Sequence, residues 1–145
     1  MPPRVTVRHV EGKQLLGTAR RHRVVTDRTL QEGGTDRGCT SGELLLLAIG
    51  SCGMGGLRRL FEERRWPCDG LSIDVFFEPH GDPRRRDRIV IAVNLDRMPH
   101  GADAEAIRRA ALSGGVNSRI ALGSELEVRV ALPPAPRQAN PIAKD

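Results

Sequence analysis

Hydrophobic and polar positions alternate toward both ends of this 145-residue chain, and a long apolar run separates the alternating stretches. Over residues 4–10, Val5 and Val7 face one way while Arg4, Thr6 and Arg8 face the other, the pattern of a strand with one wet face. Gly12 marks a turn. Residues 14–20 and 21–26, the latter with Val24 and Val25, predict two more strands. Gly33-Gly34 opens a loop that runs to Thr40. The segment SGELLLLAIGSCGMGG, residues 41–56, then predicts a helix, with Ser41 as its cap and Glu43 as a favourable first-turn charge. Leu44 to Ile49 are apolar on every side, which predicts a helix buried all round. Each interior glycine costs about 1 kcal/mol against alanine. Gly50, Gly53, Gly55 and Gly56 therefore predict a compensating gain: close approach of another backbone, or room beside a thiol. The helix turns polar over residues 58–65, and Trp66-Pro67 ends it.

Beyond the helix, Leu71, Ile73, Val75 and Phe77 share one face of a strand, and Ile89, Ile91, Val93 and Leu95 share one face of the next. Residues 79–87 form the hairpin loop between them, with Arg84-Arg85-Arg86 as a solvated tip. Residues 103–112 predict an amphipathic helix with Asp103 as cap. Small residues over 113–118 either break it or kink it. Residues 125–132 alternate again and predict a last strand. The tail PPAPRQANPIAKD, residues 133–145, is expected to be mobile. The length fits one domain, over residues 1–132. Strand runs around segregated helices place it in the α+β class with antiparallel sheets.

Composition narrows the function classes. Aromatic residues make up 3% of the chain, so the core must be aliphatic, and a thin core favours an added buried surface such as a homodimer interface. The net charge of +5 would suit nucleic acid, but the arginines are dispersed, and no tyrosine and one tryptophan leave no base-stacking platform. Nucleic acid is therefore not an expected partner. His9, His22, His80 and His100 show no ligand spacing, and no phosphate loop, G-x-S-x-G or H-E-x-x-H motif occurs, so neither a metal nor a cofactor is expected. The N-terminus lacks a signal core and no continuous apolar stretch reaches the ~18 residues of a span. The expectation is a cytoplasmic protein without a membrane partner, its thiols reduced.

Chemistry centres on Cys52, which admits two readings: a small core residue, or a thiolate nucleophile needing a cation or hydrogen-bond donors nearby. Glu43 lies nine residues earlier, on the opposite face of the same helix at 100° per residue, and cannot touch Cys52 within that helix. Cys68 would stand about 24 Å from Cys52 along a straight helix, far beyond the ~7 Å between Cα atoms that a disulfide allows. Cys39 is only slightly better placed. Both outer cysteines read as structural or incidental.

Three segments together resemble the OsmC-like family, which includes the organic hydroperoxide resistance proteins: RRHRVVTD at 20–27, GGTDRGCTSGELLLLAIGSC at 33–52 and WPCDGLSIDV at 66–75. The resemblance spans about residues 4–132 in element order. It implies an intertwined homodimer with a long buried central helix in each subunit. It also implies reduction of organic hydroperoxides by a thiolate that becomes a sulfenic acid and then condenses with a second cysteine. Cys52 matches the reactive cysteine. Arg20 or Arg21 matches an arginine set against the thiolate, where a cation would hold it ionised and steady the leaving oxygen. Glu43 matches a glutamate common in the family.

The chain departs from that pattern in three places. Gly114, in SGGVNSRIAL, falls where the second cysteine belongs. Ser41-Gly42 stands in place of the Pro-Glu of the peroxidase branch, and Glu43 comes one step later. Cys39 occupies a loop position where the family usually has no cysteine. The expectation is therefore a one-cysteine thiol peroxidase that relies on an external thiol reductant. The alternative is a non-enzymatic dimer that binds a small apolar ligand or senses redox state.

Overall fold

The computed structural model describes residues 4–124 together with 126, 127 and 129. Three strands come first: β1 (Thr6–His9), β2 (Leu15–Ala19) and β3 (His22–Thr26), joined as an antiparallel meander. The register pairs Val7 with Gly17 and Gly17 with Val24. Gly12 makes the first turn at φ +50, as its position predicts. The second turn corrects the sequence reading. Arg20 and Arg21 do not end strands but form the two-residue tip of the β2–β3 hairpin, with Arg20 at φ 56, the left-handed conformation such tight turns require. Little among the described residues covers this sheet: Val5, Val7, Val24 and Val25 are all exposed.

The 27–40 loop is held by a buried acid. Asp27, only 4% exposed, accepts hydrogen bonds from the backbone N–H groups of Arg28, Thr35 and Arg37 and from the Thr35 hydroxyl. Gln14 Nε2 donates to the same Thr35 hydroxyl oxygen at 2.8 Å, tying the loop to the start of β2. The loop returns beside β3, where Cys39 bridges Thr26 in parallel.

Helix α1 (Ser41–Arg64) follows. Its cap is Thr40, not Ser41. The Thr40 hydroxyl accepts from Glu43 N at 3.3 Å, and the Glu43 carboxylate accepts from Thr40 N at 2.6 Å, a reciprocal box that Ser41 is one residue too late to make. At the other end Arg65 turns left-handed, and Trp66 N–H donates to Phe61 O at 2.9 Å while its ring meets Phe61 edge-on. The all-round burial expected for Leu44 to Ile49 does not hold within one chain. Ile49 is buried, but Leu45 and Leu47 are 41% and 58% exposed, because β4, α2 and α3 cover α1 from one side only.

Strands β4 (Ser72–Glu78) and β5 (Arg88–Asn94) form the second antiparallel sheet. The pairs Ile73–Val93, Val75–Ile91 and Phe77–Ile89 put the predicted apolar sets on one face. Helix α2 (Ala104–Leu112) is capped by Asp103 as expected. The small-residue stretch is a break: α2 stops at Ser113, and a separate α3 (Gly115–Leu122) starts from Gly114. The core is mainly aliphatic, with Leu57, Ile107 and Ala111 packed by Leu60, Leu71, Ile73, Ile91 and Val93, but Phe61 is fully buried too, against the all-aliphatic expectation. Gly56 lets α2 approach: a Cβ there would lie 2.0 Å from Ala110 O. By length and composition α1 could pass for a membrane span, against the sequence expectation. In the described residues it packs against β4, α2 and α3 on one side. The predicted last strand over 125–132 and the tail lie outside the described residues, apart from 126, 127 and 129.

Candidate functional site

Cys52 is half-buried, midway along α1, on the side where the α2–α3 junction crosses. Its sulfur rests against Gly114. A Cβ added to Gly114 would lie 2.0 Å from Cys52 Sγ and 3.0 Å from Cys52 O. The room beside the thiol predicted from the glycines of α1 therefore comes from Gly114, on another helix. Gly114 is also the N-cap of α3, with no side-chain hydrogen bond at that cap, and its carbonyl accepts from Ser118 N–H at 2.9 Å.

One turn into α3 sits Asn117, 4% exposed. Its Nδ2 donates to Ile49 O at 3.2 Å and to Ala111 O at 2.9 Å, fastening α3 to both α1 and α2. A Cβ at Gly53 would meet Ala111 O at 3.2 Å, a tight approach, and that Nδ2 at 3.5 Å, an ordinary contact. Asn117 Oδ1 is buried and has no hydrogen-bond partner among the described residues. Sequence reasoning missed Asn117. The one available signal was a lone amide in a run of small residues beside the position already set opposite the thiol.

The other site candidates are not brought to Cys52 within one chain. Glu43 stands at the start of α1 with its carboxylate engaged by the Thr40 N–H and hydroxyl. The helical offset to Cys52 places it on the opposite face, as the spacing requires. Arg20 and Arg21 project from the β2–β3 tip, and no hydrogen bond or ion pair joins either to α1 among the described residues. All three cysteines are free thiols: Cys39 half-buried, Cys68 exposed.

A cleft of about 610 Å³ opens along the other side of α1. Leu46, Leu47, Gly50, Ile73 and Val75 make its apolar wall, with Cys39 and Glu43 at its polar end. The thiol in that cleft is Cys39, not Cys52. Asp27, also missed by sequence reasoning, fixes the loop that carries Cys39. Its hydrogen bonds, led by that from the Thr35 side chain, lower its carboxyl from the ordinary 3.8 to about 2.

No protein-family model matches the chain, and no curated protein sequence does. Solved structures do match. A Psychrobacter arcticus 273-4 protein described as an osmotic stress induced and detoxification response protein superposes with a TM-score of 0.60 at 17% identity, over 79% of this chain and 85% of its own. The organic hydroperoxide resistance protein OsmC of Legionella pneumophila, described as a redox protein and regulator of sulfide bond formation, gives 0.58 at 9% identity, over 83% and 89%. The chain has the OsmC-like fold. The organic hydroperoxide resistance protein OhrB of Bacillus subtilis agrees, with 0.53 at 14% identity, over 81% and 89%. The fold expected from the motif at 33–52 is thus present, at identities that carry the fold alone. Within it, Cys52 lies against Gly114, the position that the resemblance implied for a second cysteine.

Proposed function

We propose that this OsmC-like protein is a one-cysteine, thiol-dependent peroxidase for organic hydroperoxides, acting in oxidative-stress defence in the cytoplasm. The observation that carries the reading is Cys52 Sγ packed against Gly114, a half-buried thiol facing a position with no second sulfur. The thiolate attacks the distal peroxide oxygen. An S–O bond forms as the O–O bond breaks, sulfur gives up two electrons, and the alkoxide takes a proton to leave as alcohol. With glycine at 114, an external thiol attacks the sulfenic sulfur, releases water and leaves a mixed disulfide. A second external thiol then restores Cys52.

A homodimer belongs to this proposal. The exposed valines of the N-terminal sheet and the exposed Leu45 and Leu47 form apolar surface that one chain leaves uncovered. A second protomer laid over α1 would cover it and would provide the route by which Arg20 or Arg21 reaches a thiol. Reduced protein mixed with cumene hydroperoxide and a sulfenic-acid trap is the test. Label on Cys52, absent in Cys52→Ser and scaling with peroxide, supports the reading. A Cys52 left unlabelled in the folded protein but labelled after denaturation removes it. Light scattering that returned a 15.9 kDa particle at micromolar concentration would remove the dimer.

The apolar cleft beside α1 supports a second reading, a non-enzymatic dimer that binds a small apolar molecule between Leu46, Leu47, Ile73 and Val75. Native mass spectrometry separates the two: a retained small-molecule adduct together with an unreactive Cys52 selects binding.

A further inference from the structure

Among the described residues, Asn117 Oδ1 is an acceptor with nothing to accept. A buried amide oxygen without a partner costs about 1–3 kcal/mol, so a structure that retains one invites a reason. The other half of the amide is fully used, since Nδ2 holds Ile49 O and Ala111 O. That pairing also fixes which way the amide points, because exchanging its two ends would set oxygen against two carbonyls.

The position of this oxygen is the informative part. On α1, Ile49, Cys52 and Gly53 are spaced i, i+3 and i+4 and share one face. On α3, the Gly114 cap and Asn117 are spaced i and i+3 and share one face. The two faces meet. Gly114 touches Cys52 Sγ, while Asn117 bonds Ile49 O and lies within contact distance of the Gly53 position. The thiol and the amide thus lie on the same helix–helix contact, about one helical turn apart along α3. The thiol itself does not satisfy the oxygen. An oxygen added to the sulfur would extend the side chain by one bond and carry a proton to donate.

We infer that Asn117 Oδ1 accepts a hydrogen bond from the sulfenic acid formed on Cys52, and so holds the one-oxygen state. This rests on the peroxidase reading and deepens it. The bond keeps the proton on the sulfenic oxygen. The deprotonated sulfenate is the form that attacks a second peroxide, gaining another oxygen and ending as sulfinic acid. A one-cysteine protein has no internal thiol to trap its sulfenic acid at once. Asn117 gives an external thiol time to arrive.

The experiment titrates reduced protein with cumene hydroperoxide without any thiol and reads intact mass for one and two added oxygens on Cys52. The parent accumulates the one-oxygen form. Asn117→Ala passes to the two-oxygen form at roughly five- to tenfold lower peroxide, the scale of one lost hydrogen bond. Asn117→Ala also loses the Nδ2 bonds to Ile49 O and Ala111 O, so the deciding measurement is made on the parent side chain. A second readout needs no variant: the Asn117 side-chain carbonyl carbon resonance of the parent protein shifts when Cys52 gains its first oxygen, and does not shift in Cys52→Ser. If Cys52 gains one oxygen while that resonance stays still, the inference is overturned and the peroxidase reading stands. If Cys52 gains no oxygen from the peroxide, both fall.

Discussion

Cys52 Sγ and the backbone of Gly114 are in such close contact that any side chain at 114 would start 2.0 Å from the sulfur. Gly114 has φ −73 and ψ 153, a conformation open to every residue, so the glycine is required by space and not by backbone strain. Gly114→Ala should therefore lose about 1–3 kcal/mol of stability through overpacking alone. Truncating the thiol in the same chain, as Cys52→Ala, should recover part of that loss. Denaturant unfolding of the two single variants and the double variant measures it. Additive losses would show that the two residues do not press on one another.

The same contact predicts that a second cysteine can be installed. Gly114→Cys places a Cβ within easy reach of Cys52, so the two Cα atoms satisfy the ~7 Å limit for a disulfide. Treated with peroxide, this variant should lose two thiols together and show by peptide mapping an intramolecular disulfide from Cys52 to the introduced cysteine, at a rate independent of external thiol. Continued dependence on external thiol, with the introduced cysteine still reduced, would contradict the placement.

What the sequence disclosed and what it concealed divide along physical lines. Alternation in β1, β4 and β5 is a local signal, and the apolar faces it predicted pair in register as Ile73–Val93 and Val75–Ile91. Asp103 as a cap was legible for the same reason, whereas the small residues over 113–118 left break and kink open and did not announce α3. Thr40 and Ser41 are both good caps, and only the reach of Glu43 back to Thr40 separates them. Arg20 and Arg21 read as strand because their neighbours alternate; the tip is set by a φ of 56 that no pattern of polarity encodes. Asn117 was hidden because its role depends on Ile49, sixty-eight residues away in sequence. The one-sided cover of α1 is likewise a fact about where other elements land.

Glu43 is predicted to act in stability before chemistry. Thr40→Ala should cost about 1 kcal/mol, the usual loss of an N-cap. Glu43→Ala removes the other half of the box and should destabilise by a similar or smaller amount, whereas Glu43→Gln can still accept from Thr40 N–H and should be nearly neutral. Cys52 labelling by peroxide and trap should be the same in Glu43→Gln as in the parent. A large fall in that rate at unchanged stability would instead place this carboxylate at a partner subunit's thiol.

Asp27 sets the acid limit of the loop that carries Cys39. Its carboxyl lies at about 2 in the folded protein against an ordinary 3.8, because the Thr35 hydroxyl and three backbone N–H groups all favour the charged form. A depressed folded value means that the unfolded chain binds the proton first. The stabilisation is therefore complete above about pH 4 and is lost as pH falls toward 2. Hydrogen exchange should show the amides of Arg28, Thr35 and Arg37 opening over that window while those of α1 near Leu57 stay protected. Asp27→Asn keeps one acceptor oxygen and abolishes the titration, so its loop should exchange faster at neutral pH and lose its dependence on acid. Parent protein whose three loop amides exchange equally at pH 5 and pH 2.5, after correction for intrinsic rates, would show that Asp27 is not what holds the loop.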